Sequence, residues 1–340
     1  MRIIMLVDMD AFYAGCELAR KPSLKGKPLV VGADPKGRGV VAACSYEARK
    51  YGLHSGMPIA IAYRKCPDCI FLPLDMRYYA AVSERVMKIM KKYADKMEQV
   101  SIDEAFLDVS SKNYDKAKDI ARKIKAEILK KEKLTCSIGI GPNKLIAKMA
   151  SSKNKPNGLT IVRPSGVQKF LDPLDVDEIY MVGPKTTAAL NDFGIKTVKQ
   201  LRNTSKSNLI EWFGDKFGNY LYNSSRGIDE VPVIEEWTQK SIGRQYTFEK
   251  DTTDKNLILK SMNEMIDESF EQLKEQGFKT YRTVTIKVRY EDFSTFTKAH
   301  TLIANADSAE QAKNVSKDLL HKFFNKKKIR LVGISLGKLK

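Results

Sequence analysis

The sequence predicts an α+β protein built from several domains. At 340 residues, the chain is longer than a domain with a single hydrophobic core usually is. Short apolar runs of strand type alternate with amphipathic helical stretches as far as residue 163, and strand signals are then lost from 164 to 225. Residues 241–336 follow the order β-α-β-β-α-β, which is typical of a four-stranded sheet with two helices on one face.

The first element is a buried strand over residues 3–7 that ends at Asp8, followed by a helix over 11–19. The Gly- and Pro-rich turn 34–38 joins two more strands. The other elements predicted before residue 94 are strands at 28–32 and 39–43 and helices at 46–51, 58–65 and 78–93.

Two further runs, 97–101 and 105–109, predict paired strands, so Asp103 and Glu104 are expected at the turn between them. The N-terminal α/β unit is completed by a helix over 114–131, a strand over 135–140 and a helix over 143–152. The rest of the chain predicts short helices up to 225, a linker over 231–240, strands at 241–248, 280–290, 293–302 and 329–336, and helices at 254–276 and 308–324.

Charge is the most informative feature of the composition. The net charge of +18 favours a polyphosphate partner such as nucleic acid, with a merely basic soluble protein as the alternative. No stretch approaches the roughly 18 apolar residues that span a bilayer, and Asp8 interrupts the apolar start before a signal peptide is complete. We therefore expect a cytoplasmic protein with no membrane partner.

The five cysteines do not predict a disulfide framework. Cys66 and Cys69 form a lone C-x-x-C pair without the second ligand pair that a zinc ribbon needs. A metal role for this pair is therefore not favoured.

Acidic residues at a strand tip and a neighbouring hairpin offer the oxygen ligands that Mg²⁺ prefers. If Asp8, Asp103 and Glu104 converge, two divalent ions would relieve their repulsion and support an in-line phosphoryl displacement. The alternative is that Asp8 and Asp103 are turn residues and Glu104 is a solvated charge. Spacing in the sequence does not decide between these interpretations.

Four motifs in order resemble those of the Y-family DNA polymerases, with the likeness closest to the archaeal and bacterial DNA polymerase IV group: Val7-Asp8-Met9-Asp10-Ala11-Phe12-Tyr13-Ala14, Tyr46-Glu47-Ala48-Arg49, Ser101-Ile102-Asp103-Glu104-Ala105-Phe106 and Lys155-Pro156-Asn157-Gly158. The resemblance runs through nearly the whole chain. It implies a low-fidelity, translesion DNA polymerase that adds deoxynucleotides to a primer 3′-end and releases pyrophosphate. No second carboxylate constellation suggests a proofreading exonuclease.

The resemblance also implies a multidomain right-hand polymerase fold. Its parts would be a ferredoxin-like palm (1–10 and 75–165), small fingers (11–74), a helical thumb (166–230), the linker (231–240) and a little finger (241–340). Its expected partners are primer–template DNA and deoxynucleoside triphosphates. We expect a monomer, and a sliding clamp would dock on an unidentified surface, because the short C-terminus shows no clamp-binding tail.

By the same resemblance, Asp8, Asp103 and Glu104 bind two Mg²⁺ ions, with Mn²⁺ as an alternative, and the Met9 carbonyl is a further ligand. Asp10 has only a local hydrogen-bonding part. The residues expected to contact the triphosphate are Tyr46, Arg49 and Lys155, whose groups suit phosphate oxygens.

Further residues are expected around the sugar and base of the incoming nucleotide. Phe12 and Tyr13 would lie beneath the sugar, with Tyr13 as a steric gate against ribose; a core aromatic is the alternative. Val40 and Ala42 match small residues that enclose the new base pair loosely, which lowers discrimination.

DNA contacts are expected from two regions. Gly183 and Lys185 belong to a segment that resembles a helix-hairpin-helix turn, although Tyr180 and Met181 stand where the family often has Pro-Gly; an ordinary helix–helix turn is the alternative. In the little finger, the residues expected to follow the DNA backbone are Arg244, Arg282, Lys287 and Arg289.

Two rival functions remain at this point. Another palm-type enzyme, such as a nucleotide cyclase, would leave Tyr13 and the basic C-terminal sheet unexplained. A catalytically silent DNA-binding scaffold would not need the complete set of carboxylates.

Overall fold

The computed structural model describes residues 2–340 and divides into one unit that ends at Glu236 and another that spans Trp237–Lys340. Each unit combines helices with sheets, as the predicted α+β class requires. No helix within residues 2–340 has both the length and the apolar character needed to cross a bilayer.

The first unit contains eight strands within the described part of the chain: β1 (Ile4–Met9), β2 (Leu29–Gly32), β3 (Val41–Cys44), β4 (Ile70–Leu72), β5 (Lys96–Gln99), β6 (Glu104–Asp108), β7 (Cys136–Gly141) and β8 (Leu159–Ile161). Its α-helices are α1 (Phe12–Arg20), α2 (Tyr46–Arg49), α3 (Ile59–Lys65), α4 (Met76–Lys91), α5 (Tyr114–Glu132), α6 (Lys144–Lys153), α7 (Val167–Leu171), α8 (Pro184–Asp192), α9 (Val198–Asn203) and α10 (Lys206–Ser224).

A five-stranded sheet with the order β5-β6-β1-β7-β8 forms the centre of this unit. Every residue of β1 is buried, because alternate side chains of its apolar run enter two different cores. Met5 and Val7 join the core formed with α4 and α5, whereas Ile4 and Leu6 pack with Phe106 on the other face. A strand buried on both faces holds its C-terminal tip, at Asp8, in a fixed place.

Helix α6 lies against β7 with almost no space between their backbones. A side chain at Gly139 would collide with the Ala147 carbonyl oxygen, and a side chain at Gly141 would meet Ile146. These two glycines therefore allow the helix to approach the sheet closely.

The predicted linker is partly integrated into the first unit. Val233 is buried against Ile4 and Leu6, and the Ile234 N–H donates to Glu98 Oε2 at 2.8 Å. Within the segment predicted as a linker, Val233 closes the second face of the sheet, whereas Val231 and Ile234 are about half exposed.

A separate three-stranded sheet, ordered β3-β2-β4, packs with α2 and α3. Strands β4 and β8 were not predicted, since three residues are too few to show a period. Cys66 and Cys69 are joined by a disulfide next to this sheet. This bond was not predicted from the sequence, and as a disulfide the two sulfurs are closed to metal binding.

The second unit consists of β9 (Ser241–Thr252), α11 (Lys255–Glu275), β10 (Tyr281–Tyr290), β11 (Thr295–Ala306), α12 (Ala309–His321) and β12 (Ile329–Gly337). Its antiparallel sheet has the order β11-β10-β12-β9. Val284, Ile286 and Val288 alternate along β10 and join the helices in one core. The observed element order is the predicted β-α-β-β-α-β.

Candidate active site

The tip of β1 and the turn before β6 lie next to each other, a question that spacing in the sequence had left open. Strands β1 and β6 pair so that Asp8 lies directly opposite Glu104. The Met9 N–H donates to the Asp103 carbonyl oxygen at 3.0 Å, which ties the turn to the end of β1. Asp8 is therefore a backbone neighbour of Asp103 and Glu104, although it lies far from them in numbering.

Two lysines neutralise these carboxylates. Lys148 of α6 bridges Glu104 and Asp8, with 3.3 Å from its Nζ to Asp8 Oδ2, and Lys155 Nζ lies 2.5 Å from Asp8 Oδ1. Burial favours the neutral amine of Lys148, but the nearby carboxylates outweigh burial and raise its pKa. The ammonium group therefore stays charged between Asp8 and Glu104.

The Asp103 carboxylate is held by its own turn instead. Ser101 Oγ donates to Asp103 Oδ1 at 2.6 Å and accepts the N–H groups of Asp103 and Glu104 at 3.2 and 3.1 Å. Consequently, no three His, Cys, Asp or Glu side chains within residues 2–340 are grouped as a ready metal site. The three residues are neighbours along the backbone, while the Asp8 and Glu104 carboxylates pair with Lys148 and the Asp103 carboxylate accepts from Ser101.

The donor set nevertheless suits a hard divalent cation. Asp8, Asp103 and Glu104 supply only oxygen ligands, the type that Mg²⁺ takes. The Lys148 ammonium lies where a cation between two carboxylates would be favourable. Lys148 and Ser101 were not predicted, since one lysine on a basic helix and one serine in a turn carry no distinctive signal.

A cavity of about 270 Å³ opens beside the carboxylates. It lies between the end of β1, the start of α1, the strand β3 and the turn before β6. Its lining includes most of the predicted nucleotide-site residues: Asp8, Met9, Phe12, Tyr13, Ala42, Arg49, Asp103 and Lys155. Glu104, Val40 and Tyr46 are not part of that lining, and Val40 is 48% exposed.

Tyr13 is supported from behind within this cavity. Its ring stacks on Tyr79 with 4.7 Å between centroids, and Tyr79 Oη donates to the buried Glu17 at 2.9 Å. Phe12, by contrast, is buried in the core and only borders the cavity. The position of the Tyr13 ring is therefore fixed by a chain of buried contacts.

Tyr46 and Arg49 form a pair on α2. The Arg49 guanidinium lies 4.4 Å from the Tyr46 ring centroid. The Tyr46 hydroxyl is buried without a hydrogen-bond partner among the described residues. Burial, followed by the Asp10 carboxylate, raises the pKa of Tyr46 to about 12, so the hydroxyl remains a proton donor.

Gly183 and Lys185 lie at the start of α8. Gly183 is the N-cap of this helix, Pro184 is its first residue, and Lys185 is exposed. Met181, before the cap, adopts a left-handed φ of 69°, a conformation that a Pro-Gly pair would provide more easily.

The four basic residues of the second unit that were expected to contact DNA do not share one surface. Arg244 faces α11, where its Nε lies 3.1 Å from Glu268 Oε2. Lys287 and Arg289 alternate with the buried residues of β10 and so lie on the sheet face away from the helices. Arg282 Nε donates to the Leu302 carbonyl oxygen at 3.0 Å.

Family models match most of the chain. Residues 7–152 match the impB/mucB/samB family, and residues 239–340 match the C-terminal domain of that family. Between them, residues 164–195 match the IMS family HHH motif, and residues 181–229 match the thumb domain of DNA polymerase-iota.

Curated relatives and solved structures agree with these matches. The chain is 44% identical to DNA polymerase IV 2 of Methanosarcina mazei, covering 100% of this chain and 93% of the relative. It is also 44% identical to DNA polymerase IV of Methanoculleus marisnigri, covering 99% and 94%. The Y-family DNA polymerase chimera Dbh-Dpo4(243-245)-Dbh is 36% identical, with 99% of both chains covered and a TM-score of 0.92.

A further solved structure, the insertion ternary complex of Dbh DNA polymerase, is 34% identical with a TM-score of 0.71 over 99% of both chains. Together with the geometry at Asp8 and Glu104, these similarities confirm the predicted family and the right-hand polymerase fold class. The chain belongs to the impB/mucB/samB family, the Y-family DNA polymerases, and is a template-directed DNA polymerase of the translesion type.

Proposed function

We propose that this polymerase adds deoxynucleotides to a primer 3′-end with Asp8, Asp103 and Glu104 holding two divalent metal ions, Mg²⁺ or alternatively Mn²⁺, and with the Met9 carbonyl as a further ligand. The observation that carries the proposal is the register of β1 and β6, which sets Asp8 opposite Glu104 beside Asp103. When bound, such ions activate the 3′-hydroxyl and neutralise charge on the phosphate and the leaving pyrophosphate.

Three side chains must change partners for this function. Lys148 has to leave Asp8 and Glu104, Lys155 has to leave Asp8 to reach a triphosphate, and the Asp103 carboxylate has to turn away from Ser101. All of these contacts join side chains, so breaking them removes no backbone hydrogen bond between β1 and β6.

The triphosphate would lie against Tyr46, Arg49 and Lys155. The unpartnered Tyr46 hydroxyl can donate to a phosphate oxygen, the Arg49 fork can bind two oxygens, and Lys155 adds a point charge. Tyr13 and Phe12 would then lie on the sugar side of the cavity and Ala42 on the base side, with Val40 near the base pair but outside the cavity lining.

DNA is proposed to contact both units. In the second unit, Lys287 and Arg289 lie on the sheet face without helices and are better placed for a phosphate backbone than Arg244, which is paired with Glu268. In the first unit, Gly183 and Lys185 at the N-terminus of α8 suit a backbone phosphate.

We retain the division into palm, fingers, thumb and little finger as part of this proposal, with the linker at 231–240. One chain contains every residue proposed for catalysis, so we propose that it acts as a monomer. A sliding clamp would bind at a surface still to be identified.

A primer-extension assay tests the catalytic proposal. With Mg²⁺ and all four deoxynucleotides, the parent chain should extend a primer, and Asp103→Ala should reduce the rate by at least about a thousandfold, since it removes a metal ligand. The matched control is Asp108→Ala, because the Asp108 carboxylate lies at the far end of β6 and accepts a hydrogen bond from the Ser110 N–H. Full activity in Asp103→Ala would refute the proposed metal ligands.

A further inference from the structure

Asp10 is a buried carboxylate with two partners that the catalytic proposal does not use. It follows β1 directly and is 6% exposed. One oxygen, Oδ1, accepts from Ser137 Oγ at 2.7 Å, and the other, Oδ2, accepts the Asn157 N–H at 2.8 Å. A residue with only a local role would not join β1 to a turn 147 positions later in the chain.

The turn that Asp10 holds is the one that carries Lys155. Ser137 is fully buried, and its Oγ accepts the Gly158 N–H at 3.1 Å. Lys125 fastens the same turn by donating to the Gly158 and Cys136 carbonyl oxygens at 3.1 and 2.6 Å. The backbone after Lys155 is therefore fixed to β7 and to the end of β1.

This turn needs such fastening, because its conformation is unusual. Asn157 has a φ of 56°, in the left-handed region that asparagine tolerates better than most residues. A side chain at Gly158 would collide with the Asn154 carbonyl oxygen. Hydrogen bonds from a buried, charged acceptor are among the stronger means of holding a turn of this kind.

Asp10 also acts on a second residue proposed to contact the triphosphate. After burial, its carboxylate is the largest cause of the raised pKa of Tyr46, which lies on α2. Asp10 is therefore linked both to Tyr46 and, through Asn157, to the turn that carries Lys155.

We propose that Asp10 is a positioning residue: it fixes the turn at 154–158 so that Lys155 presents its ammonium group to the triphosphate. This inference rests on the proposed function, because it assigns Asp10 a part only through Lys155. It predicts an effect on nucleotide binding and none on DNA binding.

The test is a double-mutant cycle on single-nucleotide insertion. Asp10→Ala should raise the KM for the incoming deoxynucleotide about tenfold while kcat changes less than threefold and the Kd for primer–template is unchanged. In a Lys155→Ala background, the same substitution should change KM less than twofold. Asp10→Asn should have a KM close to that of the parent, since the asparagine amide can accept from the Asn157 N–H and donate to the Ser137 hydroxyl.

A matched control separates positioning from a general loss of packing. Asp95 also accepts from a turn, through the Ser111 N–H and hydroxyl, but lies at the other end of the hairpin. Asp95→Ala should leave KM unchanged.

Each contrary outcome has one meaning. Fully additive effects of Asp10→Ala and Lys155→Ala, or an equal effect of Asp95→Ala, would overturn the positioning role. A Lys155→Ala variant with the parental KM would instead overturn the proposed triphosphate contact itself.

Discussion

Lys148→Met removes the ammonium group that bridges Asp8 and Glu104 while keeping a side chain of similar length. The carboxylates then repel each other with only Lys155 to compensate, on Asp8 alone. We expect the variant to bind Mg²⁺ more tightly than the parent in the absence of DNA and nucleotide, because the metal no longer competes with a resident cation.

The size of the effect follows from the geometry. Two unit charges at about 4 Å in a partly solvated site attract by about 4 kcal/mol. Lost solvation offsets much of this, since the Lys148 and Asp8 side chains are 19% and 10% exposed. A net competition of about 1.4 kcal/mol corresponds to an approximately tenfold tighter Kd.

Calorimetric titration with Mg²⁺ measures this change without any need for activity. Lys144→Met is the matched control, because Lys144 lies one turn earlier on α6 and pairs with Glu98 at 2.8 Å instead of with Asp8 or Glu104. Its Kd for Mg²⁺ should stay within twofold of the parent. An unchanged Kd in Lys148→Met, or the same shift in Lys144→Met, would refute the competition.

Two other predictions concern substrate selection and DNA affinity. Tyr13→Ala should insert ribonucleotides at least tenfold better while deoxynucleotide insertion stays largely intact, whereas Tyr13→Phe should keep the gate because its ring still stacks on Tyr79. Primer extension with ribonucleotides and with deoxynucleotides measures this preference. An unchanged sugar preference in Tyr13→Ala would rule out the gate. Primer–template affinity should fall by at least tenfold between 50 and 200 mM salt through counterion release. Lys287→Ala should flatten that dependence more than Arg244→Ala, and equal slopes in binding titrations would contradict the assignment of the open sheet face.

Strand periodicity predicted where each acidic residue lies along the chain, but their convergence was expected only from the resemblance of motifs. An apolar run that ends in Asp8, together with two strand-like runs around Asp103 and Glu104, already places the acidic residues at a strand tip and a hairpin. Pairing of β1 with β6 then completes the site. Roles for Tyr13 and Lys155 came from the resemblance of motifs, which periodicity alone does not supply.

The contacts that were missed depend on tertiary packing. Nothing in the sequence distinguishes Lys148 from its neighbours on a helix rich in lysine, and only the packing of α6 on the sheet brings it to Asp8. The ion pair of Arg244 with Glu268 was likewise not predicted, since it depends on how the β9 register turns Arg244 toward α11. The burial of Val233 was not predicted, because a single apolar residue shows no periodic pattern of hydrophobicity.

The contact between β7 and α6 at Gly139 determines which amino-acid substitutions near the site leave its geometry unchanged. The backbones of β7 and α6 are in direct contact there, so no side chain at this contact sets the distance between the helix and the sheet. Surrounding core residues can therefore exchange for others of similar volume while the helix keeps its register on the sheet. Position 139 itself has no such freedom, since even a methyl group would lift the helix and carry its lysine away from Asp8.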